Sequence, residues 1–373
     1  MKVCFVLENF YPQIGGAETL FKEYTARLAE QGCQVKVVTS NAGGINGRVF
    51  YEGVEVNHFP WRGFFGHPIP NPIHLRKFVE WSDLVHTATL TAAPVALSVA
   101  RKFHKPCLVT IFEVWDHKWS WIERNFLKAT LYRLFERYTV SRDYSHYHAI
   151  SKSTEKDLIK FGIEPRLITA IYPGVKKRNV SDGPDDPQVQ LDAKESTRTF
   201  LYFGRPGKPK GIFVLLEAIR TIRNKLPEGF EFVYIVSNSP LSEKNRLRRL
   251  VKQYALEDLV SVKDPLPEQD LVRAIKRAYC IVVPSITEGF GLSAAESCMM
   301  GKPVIVSDAG SLPEVASGKV LFFKNRSSED LAAKILLATA DKFQSVPERV
   351  FDWDTSTQRL LDLYKKLSDN RQQ

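Results

Sequence analysis

The chain reads as an α/β protein built from two parallel-sheet domains, and three observations predict this. Short apolar runs of strand length alternate with segments of helical periodicity from the first residues onward. The alternation breaks at the polar, Pro-, Asp- and Ser-rich stretch 177–197, KRNVSDGPDDPQVQLDAKEST, and then restarts. A length of 373 residues suits two cores of ordinary size.

KVCFVLE, at 2–8, is the first expected strand, followed by a helix over 17–31 and a strand over 34–39. Further strands are expected near 54–59, 84–86, 107–111, 147–150 and 167–171, with helical patterns mostly between them. After the polar break come strands at 199–203, 230–236, 259–262, 281–283 and 303–306. Short, apolar strands separated by helices argue for a parallel sheet covered on both faces. DTSTQRLLDLYKKL, at 354–367, forms an amphipathic terminal helix with Leu360, Leu361, Tyr364 and Leu367 on one stripe. The expected organisation is therefore a domain over 1–176, a linker over 177–197, a second domain over 198–350, and a terminal segment over 351–373.

Composition excludes several classes. No run of eighteen apolar residues is present to span a bilayer, and the start, MKVCFVLENF, lacks a cleavable signal pattern. The five cysteines (Cys4, Cys33, Cys107, Cys280 and Cys298) include no close pair, so reduced, buried thiols in a cytosolic chain are expected. A net charge of +10 is compatible with polyanionic partners of several kinds. With no helix-turn-helix, zinc-finger or RNP pattern, nucleic acid is not an expected partner.

The chemistry concentrates in VVPSITEGFGLSAAESCMMGKPVIVSD, at 282–308. A strand enters a glycine-bearing loop, then a short helix, then a second strand. Glu288 falls in the loop beyond the strand's carboxyl end and Glu296 in the first turns of the helix. Both then face the crevice where open α/β sheets bind ligands. The intervening Gly289-Phe290-Gly291 lets the backbone approach closely, and the helix start offers unpaired N–H groups to an anion. Carboxylates beside a phosphate-ready helix end suit a ligand with hydroxyls and phosphates, such as a nucleotide-sugar. A second loop, YFGRPGKPKG, places Arg205 after a strand and Lys210 at a helix start, where two cations can neutralise a diphosphate. Paired carboxylates also suit a glycoside hydrolase, which has no need of a diphosphate cradle. No G-x-G-x-x-G fingerprint is present, which weighs against a nicotinamide enzyme.

Pro-Ser, Glu-Gly-Phe-Gly, a second Glu eight residues after the first and Gly-x-Pro-Val-Ile together closely resemble the signature of family-4 retaining glycosyltransferases. Gly15-Gly16-Ala17-Glu18, Ile150-Ser151-Lys152-Ser153-Thr154 and Gly204-Arg205 through Lys210-Gly211 extend the resemblance over nearly the whole chain. It implies the GT-B architecture: two Rossmann-like parallel-sheet domains facing a central cleft, with the last helix crossing back to the N-terminal domain. It implies that Arg205 and Lys210 hold the donor diphosphate, Glu288 contacts the donor sugar and Glu296 the ribose. Gly16, Gly289, Phe290, Gly291 and Leu292 complete the implied donor site, with the base near 262–266. It implies front-side transfer, in which the donor phosphate takes the acceptor proton, with no cofactor and no obligatory metal. The implied donor is a UDP- or GDP-linked sugar.

One position departs from the pattern. Family members usually carry Thr-x-His-Asp after the strand at 107–111, whereas Phe112 stands here where the His is expected. Glu113, Asp116 or His117 is then left to supply a polar contact on the sugar or acceptor side, or the site does without one. The stretches 58–81 and 115–138 mix aromatic and basic residues. In the second, Arg124, Lys128, Arg133 and Arg137 lie among Trp119, Trp121, Phe126, Leu127, Leu131 and Leu134. That pattern fits either an anionic membrane surface or a core helix with a solvated basic face. The first alternative points to a lipid-linked saccharide acceptor reached from the cytoplasmic face, the second to a cytosolic enzyme. Asp352-Trp353-Asp354 matches a metal-binding D-x-D, but here Asp354 is expected to cap the terminal helix and Trp353 to pack it down. Two other functions share this architecture: a nucleotide-sugar 2-epimerase, and a catalytically idle module that binds a glycan or a membrane.

Overall fold

A computed structural model describes residues 1–13, 15–41, 44–61, 63–64, 67–88, 90–123, 125–176 and 197–369. The expected linker lies outside the described residues except for Thr197, as does Arg124. The chain divides into two compact units, Met1–Gly174 with Asp352–Gln373, and Val175–Phe351.

The first unit carries strands β1 (Lys2–Val6), β2 (Gln34–Ser40), β3 (Gly47–Tyr51) and β4 (Val54–Phe59), a two-residue pair β5 (Gly63–Phe64) and β6 (His67–Pro68), then β7 (Leu84–Ala88), β8 (Cys107–Ile111), β9 (His146–Ala149) and β10 (Ile168–Ala170). Helices α1 (Gly16–Glu30), α2 (Pro72–Trp81), α3 (Ala92–Lys102), α4 (Trp119–Ile122), α5 (Phe126–Val140) and α6 (Lys152–Lys160) connect them. The eight-stranded sheet runs β10-β9-β8-β7-β1-β2-β4-β3. Its described pairs are parallel except β3 with β4. That hairpin was not legible as such: β3 is mostly exposed, and its turn is Glu52-Gly53 with φ of +48° and +80°, the twist that two-residue hairpins prefer. β7, β8 and β9 are buried along their whole length, as expected of strands covered on both faces.

The second unit carries β11 (Arg198–Gly204), β12 (Phe230–Val236), β13 (Val260–Lys263), β14 (Cys280–Val283), β15 (Val304–Ser307), β16 (Gly318–Phe323) and β17 (Gln344–Val346), with α7 (Ile212–Ile222), α8 (Leu241–Gln253), α9 (Glu268–Arg277), α10 (Leu292–Met299), α11 (Leu312–Val315) and α12 (Ser328–Thr339). The sheet order is β13-β12-β11-β14-β15-β16-β17, parallel until β17 closes one edge antiparallel to β16. The chain starts at β11, steps outward to β12 and β13, then returns to β14 on the other flank of β11. Ligands bind at such reversals, beyond the strands' carboxyl ends.

The last helix, α13 (Trp353–Asp369), belongs to the first unit. Asp352 caps it, its carboxylate accepting from Thr355 N at 2.7 Å. This corrects the expectation for Asp354, which instead pairs with Arg27. Trp353 packs edge-on to Tyr24 at 5.4 Å and lies so close to Gly174 that a Cβ there would fall 2.3 Å from its ring.

A buried chain of hydrogen bonds ties α13 across the sheet. Tyr364 meets His86 Nδ1 at 2.5 Å, His86 Nε2 meets Thr110 at 2.7 Å, Thr110 meets His148 Nδ1 at 2.9 Å, and His148 Nε2 meets the Ile171 carbonyl at 3.0 Å. The carbonyl only accepts, so His148 Nε2 carries a proton and, in the neutral ring, Nδ1 accepts from Thr110. Thr110 then accepts from His86 Nε2, and Tyr364 donates to His86 Nδ1. The chain is complete with both rings neutral.

Burial opposes charging them, holding His86 well below the usual imidazole range and His148 down at about 4. An unfolded histidine takes up its proton near pH 6.5. The neutral native ring therefore stabilises the fold above about pH 6.5, and that contribution is lost as pH falls toward 4. For His148 alone the loss is about 3 kcal/mol once both states are past their pKa values. Urea unfolding across this window should show a falling midpoint, with a shallower fall in His148→Gln. An equal slope in the variant would show that this ring is not the proton acceptor.

Candidate functional site

The reversal in the second sheet sets the loop after β11 beside the loop after β14. The first runs through Arg205 and a one-turn 3-10 segment, Lys208–Lys210, before α7. Lys210 thus ends that turn rather than starting a helix. Gly211 follows with φ +65°, and a Cβ on it would sit 1.7 Å from the Pro284 carbonyl oxygen of the second loop. Only glycine permits both that backbone conformation and that approach. Ile286 N donates to Pro209 O at 2.8 Å, joining the loops a second time.

Glu288 is the centre of the arrangement. Lys210 Nζ reaches both its carboxylate oxygens, at 3.0 and 2.9 Å, and Ser285 Oγ donates to Oε2 at 2.8 Å. Its main-chain carbonyl accepts from Ser311 N at 3.1 Å and Ser311 Oγ at 3.2 Å. Gly310, at φ +52°, packs so tightly that a Cβ would lie 2.1 Å from the same carbonyl. The carboxylate is therefore held from both ends, with its side chain 11% exposed and that of Lys210 29% exposed. Charge-assisted contacts of this kind fix direction as well as adding energy. An ammonium has three donors, so Lys210 keeps one for a further acceptor. Arg205 is exposed and has no ion-pair partner among the described residues; its carbonyl is anchored by the buried Tyr202 hydroxyl at 2.7 Å.

α10 opens after Gly291, whose φ is +93°. Leu292 is its first residue, and Glu296 lies one turn along, partly buried. Gly289 is buried in the loop. Phe290 is 3% exposed, its ring edge-on to Phe351 at 5.1 Å, so it anchors the loop and has only its backbone to present to a ligand. Sequence reasoning did not single out Ser285, Tyr202, Gly310 or Ser311. Ser285 was within reach, as the serine of the quoted Pro-Ser pair three residues before Glu288.

The other expected residues lie in the first unit. Gly15 is extended and α1 begins at Gly16, with the Glu18 carboxylate folded back over this turn, within 2.2 Å of where a Gly15 Cβ would be. At the reversal between β1 and β7, the Glu8 carboxylate accepts from Leu90 N at 2.7 Å and from Thr91 N, in the turn before α3. Phe112 packs edge-on to Phe21 at 5.9 Å, and its carbonyl accepts from Thr154. Glu113 is partly buried. Asp116 is held by Arg133 at 2.7 Å and Arg137 at 3.7 Å, with His117 Nδ1 at 3.8 Å. Burial alone would raise the Asp116 carboxyl, but the hydrogen bond and charge of Arg133, with Arg137 and His117, hold it below its ordinary value. Glu136, 2% exposed, organises this segment by accepting from Trp115 N, Asp116 N and Trp119 Nε1 at 2.7–3.0 Å.

α5 buries Ala129, Glu136, Thr139 and Val140 but leaves an apolar stripe uncovered. Leu127, Leu131, Leu134 and Tyr138, spaced along one face, are all exposed, and Phe126 and Leu127 are each 77% exposed. Lys128, Arg133 and Arg137 flank this stripe and are exposed as well.

Two family models match the chain. Residues 14–178 match the one described as Glycosyltransferase Family 4, and residues 185–350 match Glycosyl transferases group 1. The chain belongs to the family-4 glycosyltransferases. It has the GT-B fold. A sucrose-phosphate synthase from Thermosynechococcus elongatus superposes with a TM-score of 0.80 at 20% identity, over 98% of both chains. Anabaena HepE, solved with UDP and glucose, superposes at 0.73 and 17% identity, over 98% of this chain and 100% of its own. Among sequence relatives of this glycosyltransferase, a D-inositol 3-phosphate glycosyltransferase of Streptomyces scabiei is 23% identical, covering 94% of this chain and 86% of the relative. A GDP-mannose:cellobiosyl-diphosphopolyprenol alpha-mannosyltransferase of Xanthomonas campestris is 25% identical, over 91% and 89%.

Proposed function

We propose that this enzyme transfers a sugar, with retention and without an obligatory metal, from a UDP- or GDP-linked sugar to a saccharide or lipid-linked saccharide. The observation that carries the reading is the Lys210–Glu288 pair at the sheet reversal, with Arg205 open beside it. Arg205 and the third Lys210 donor take the diphosphate, so protein cations supply the charge that a metal would otherwise bring. Glu288 faces the sugar and Glu296 the ribose. The bond from the anomeric carbon to the phosphate oxygen breaks, its electron pair leaving with the diphosphate. The acceptor hydroxyl adds to the same face and its proton passes to the departing oxygen. The names of the relatives support both substrate classes: one uses GDP-mannose and a diphosphopolyprenol-linked sugar, and HepE was solved with UDP-glucose. A thermal-shift panel of nucleotide-sugars and nucleoside diphosphates tests the donor, since a ligand at 100 times its Kd adds roughly 2.7 kcal/mol. No shift with any of them would overturn the reading, and donor turnover without an acceptor would turn it toward a 2-epimerase.

The α5 face supports a peripheral location on an anionic, cytoplasmic membrane surface, its apolar stripe entering the interface and its cations meeting headgroups. No described helix is long and apolar enough to cross a bilayer. The protein should sediment with anionic vesicles and be released by salt, because such attraction is screened. Leu131→Glu should abolish it. Equal partitioning onto neutral vesicles, or none onto either, would overturn membrane docking.

A further inference from the structure

Lys244, on α8, has a side chain with 0% exposure. A buried ammonium is costly unless its donors are met. Here three acceptors meet it: the Val236 carbonyl at 3.3 Å, Asn238 Oδ1 at 2.6 Å and an Asp264 carboxylate oxygen. Val236 ends β12, Asn238 lies in the loop after it, and Asp264 starts the loop after β13. One cation therefore ties together two loops at the carboxyl edge of the sheet. Ser237 N also donates to Gly204 O at 3.1 Å, joining the loop after β12 to the residue before Arg205.

This edge decides where a nucleoside can lie. Neighbouring strands are ~4.8 Å apart, so the β13 end is about 10 Å along the edge from the β11 end. That distance suits a nucleoside whose diphosphate sits at Arg205 and Lys210. On the opposite flank the loop after β15 fills the edge, with Gly310 and Ser311 pressed onto the Glu288 backbone. Over β12 and β13 the edge is open, and Asn238, Ser239 and Asp264 are exposed.

We propose that Lys244 is a positioning residue for the nucleoside end of the donor, fixing the loops after β12 and β13 as one wall of its pocket. The inference rests on the nucleotide-sugar reading. Lys244 touches no ligand; it acts through Asn238, Asp264 and the Val236 carbonyl.

Calorimetry of UDP, GDP and inorganic pyrophosphate on the wild type, Lys244→Met and Asp264→Ala tests it. Lys244→Met should weaken the preferred nucleoside diphosphate by about tenfold or more, as expected for loss of hydrogen bonds to a charged group, and leave pyrophosphate unchanged. Asp264→Ala, at an exposed side chain, should shift the same ratio in the same direction by less, and decides the matter if Lys244→Met does not fold. Equal weakening of pyrophosphate and nucleotide would show a general structural role and overturn the proposal. So would unchanged nucleotide affinity in the variants. A wild type that binds pyrophosphate but neither nucleotide would overturn the donor reading itself.

Discussion

Arg205→Ala and Lys210→Ala should each cripple sugar transfer while leaving the protein folded. Arg205 is exposed and engages no carboxylate among the described residues, so its removal costs the fold little. Loss of a charge-assisted hydrogen bond to a phosphate weakens donor binding by about 1.5–3 kcal/mol. The loss is larger in the transition state, where charge gathers on the departing oxygen. Lys210→Ala should be the more severe, because it also leaves the Glu288 carboxylate with Ser285 as its one remaining side-chain donor among the described contacts. Initial rates with saturating acceptor, alongside thermal melts, separate the two effects. Wild-type donor kinetics in both variants would show that the diphosphate binds elsewhere.

Glu288→Gln and Glu296→Gln should separate by ligand. If Glu296 grips the ribose, its amide variant weakens the free nucleoside diphosphate and the sugar donor alike. Glu288→Gln should leave the bare nucleotide nearly unaffected and lower turnover, as an interaction that strengthens while positive charge builds on the anomeric carbon. The amide also pairs less well with the Lys210 ammonium, so part of the loss reflects a displaced cation. Binding of both ligands to each variant, paired with initial rates, checks this. Equal weakening of the nucleotide by the two substitutions would place the sugar away from Glu288.

The central strands and the Glu288 loop were legible because their signals are local. β8, at Cys107–Ile111, is apolar but for Thr110, and Glu288 follows the apolar β14 in a loop with Gly289 and Gly291 directly after it. The outer strands were less so. β16 was missed although it ends in Val-Leu-Phe-Phe, and β3 because a solvated edge strand has no apolar pattern to show. The helix at 115–138 left two readings open, since periodicity marks an apolar face without saying what covers it. Contacts between distant segments carried no signal at all. Nothing near Lys244 announces that Asp264 will meet it, and Glu136 looks like any helical glutamate until Trp115, Asp116 and Trp119 close on it. The Phe112 departure proves benign for packing, since its ring sits against Phe21 on α1.

The place of α13 bears on how the protein is made. Chains emerge amino end first, and domains generally fold as units during synthesis. The first unit here cannot complete its sheet-spanning hydrogen-bond chain until Tyr364 arrives to donate to His86, nor fill the space against Gly174 until Trp353 does. The whole second unit, Val175–Phe351, is translated in between. An interrupted or shortened chain therefore ends with a nascent amino-terminal half whose buried histidine lacks its donor. Such a product leaves His86 Nδ1 without its hydroxyl partner and the space against Gly174 unfilled, so completion of the first sheet's packing waits on the last residues made.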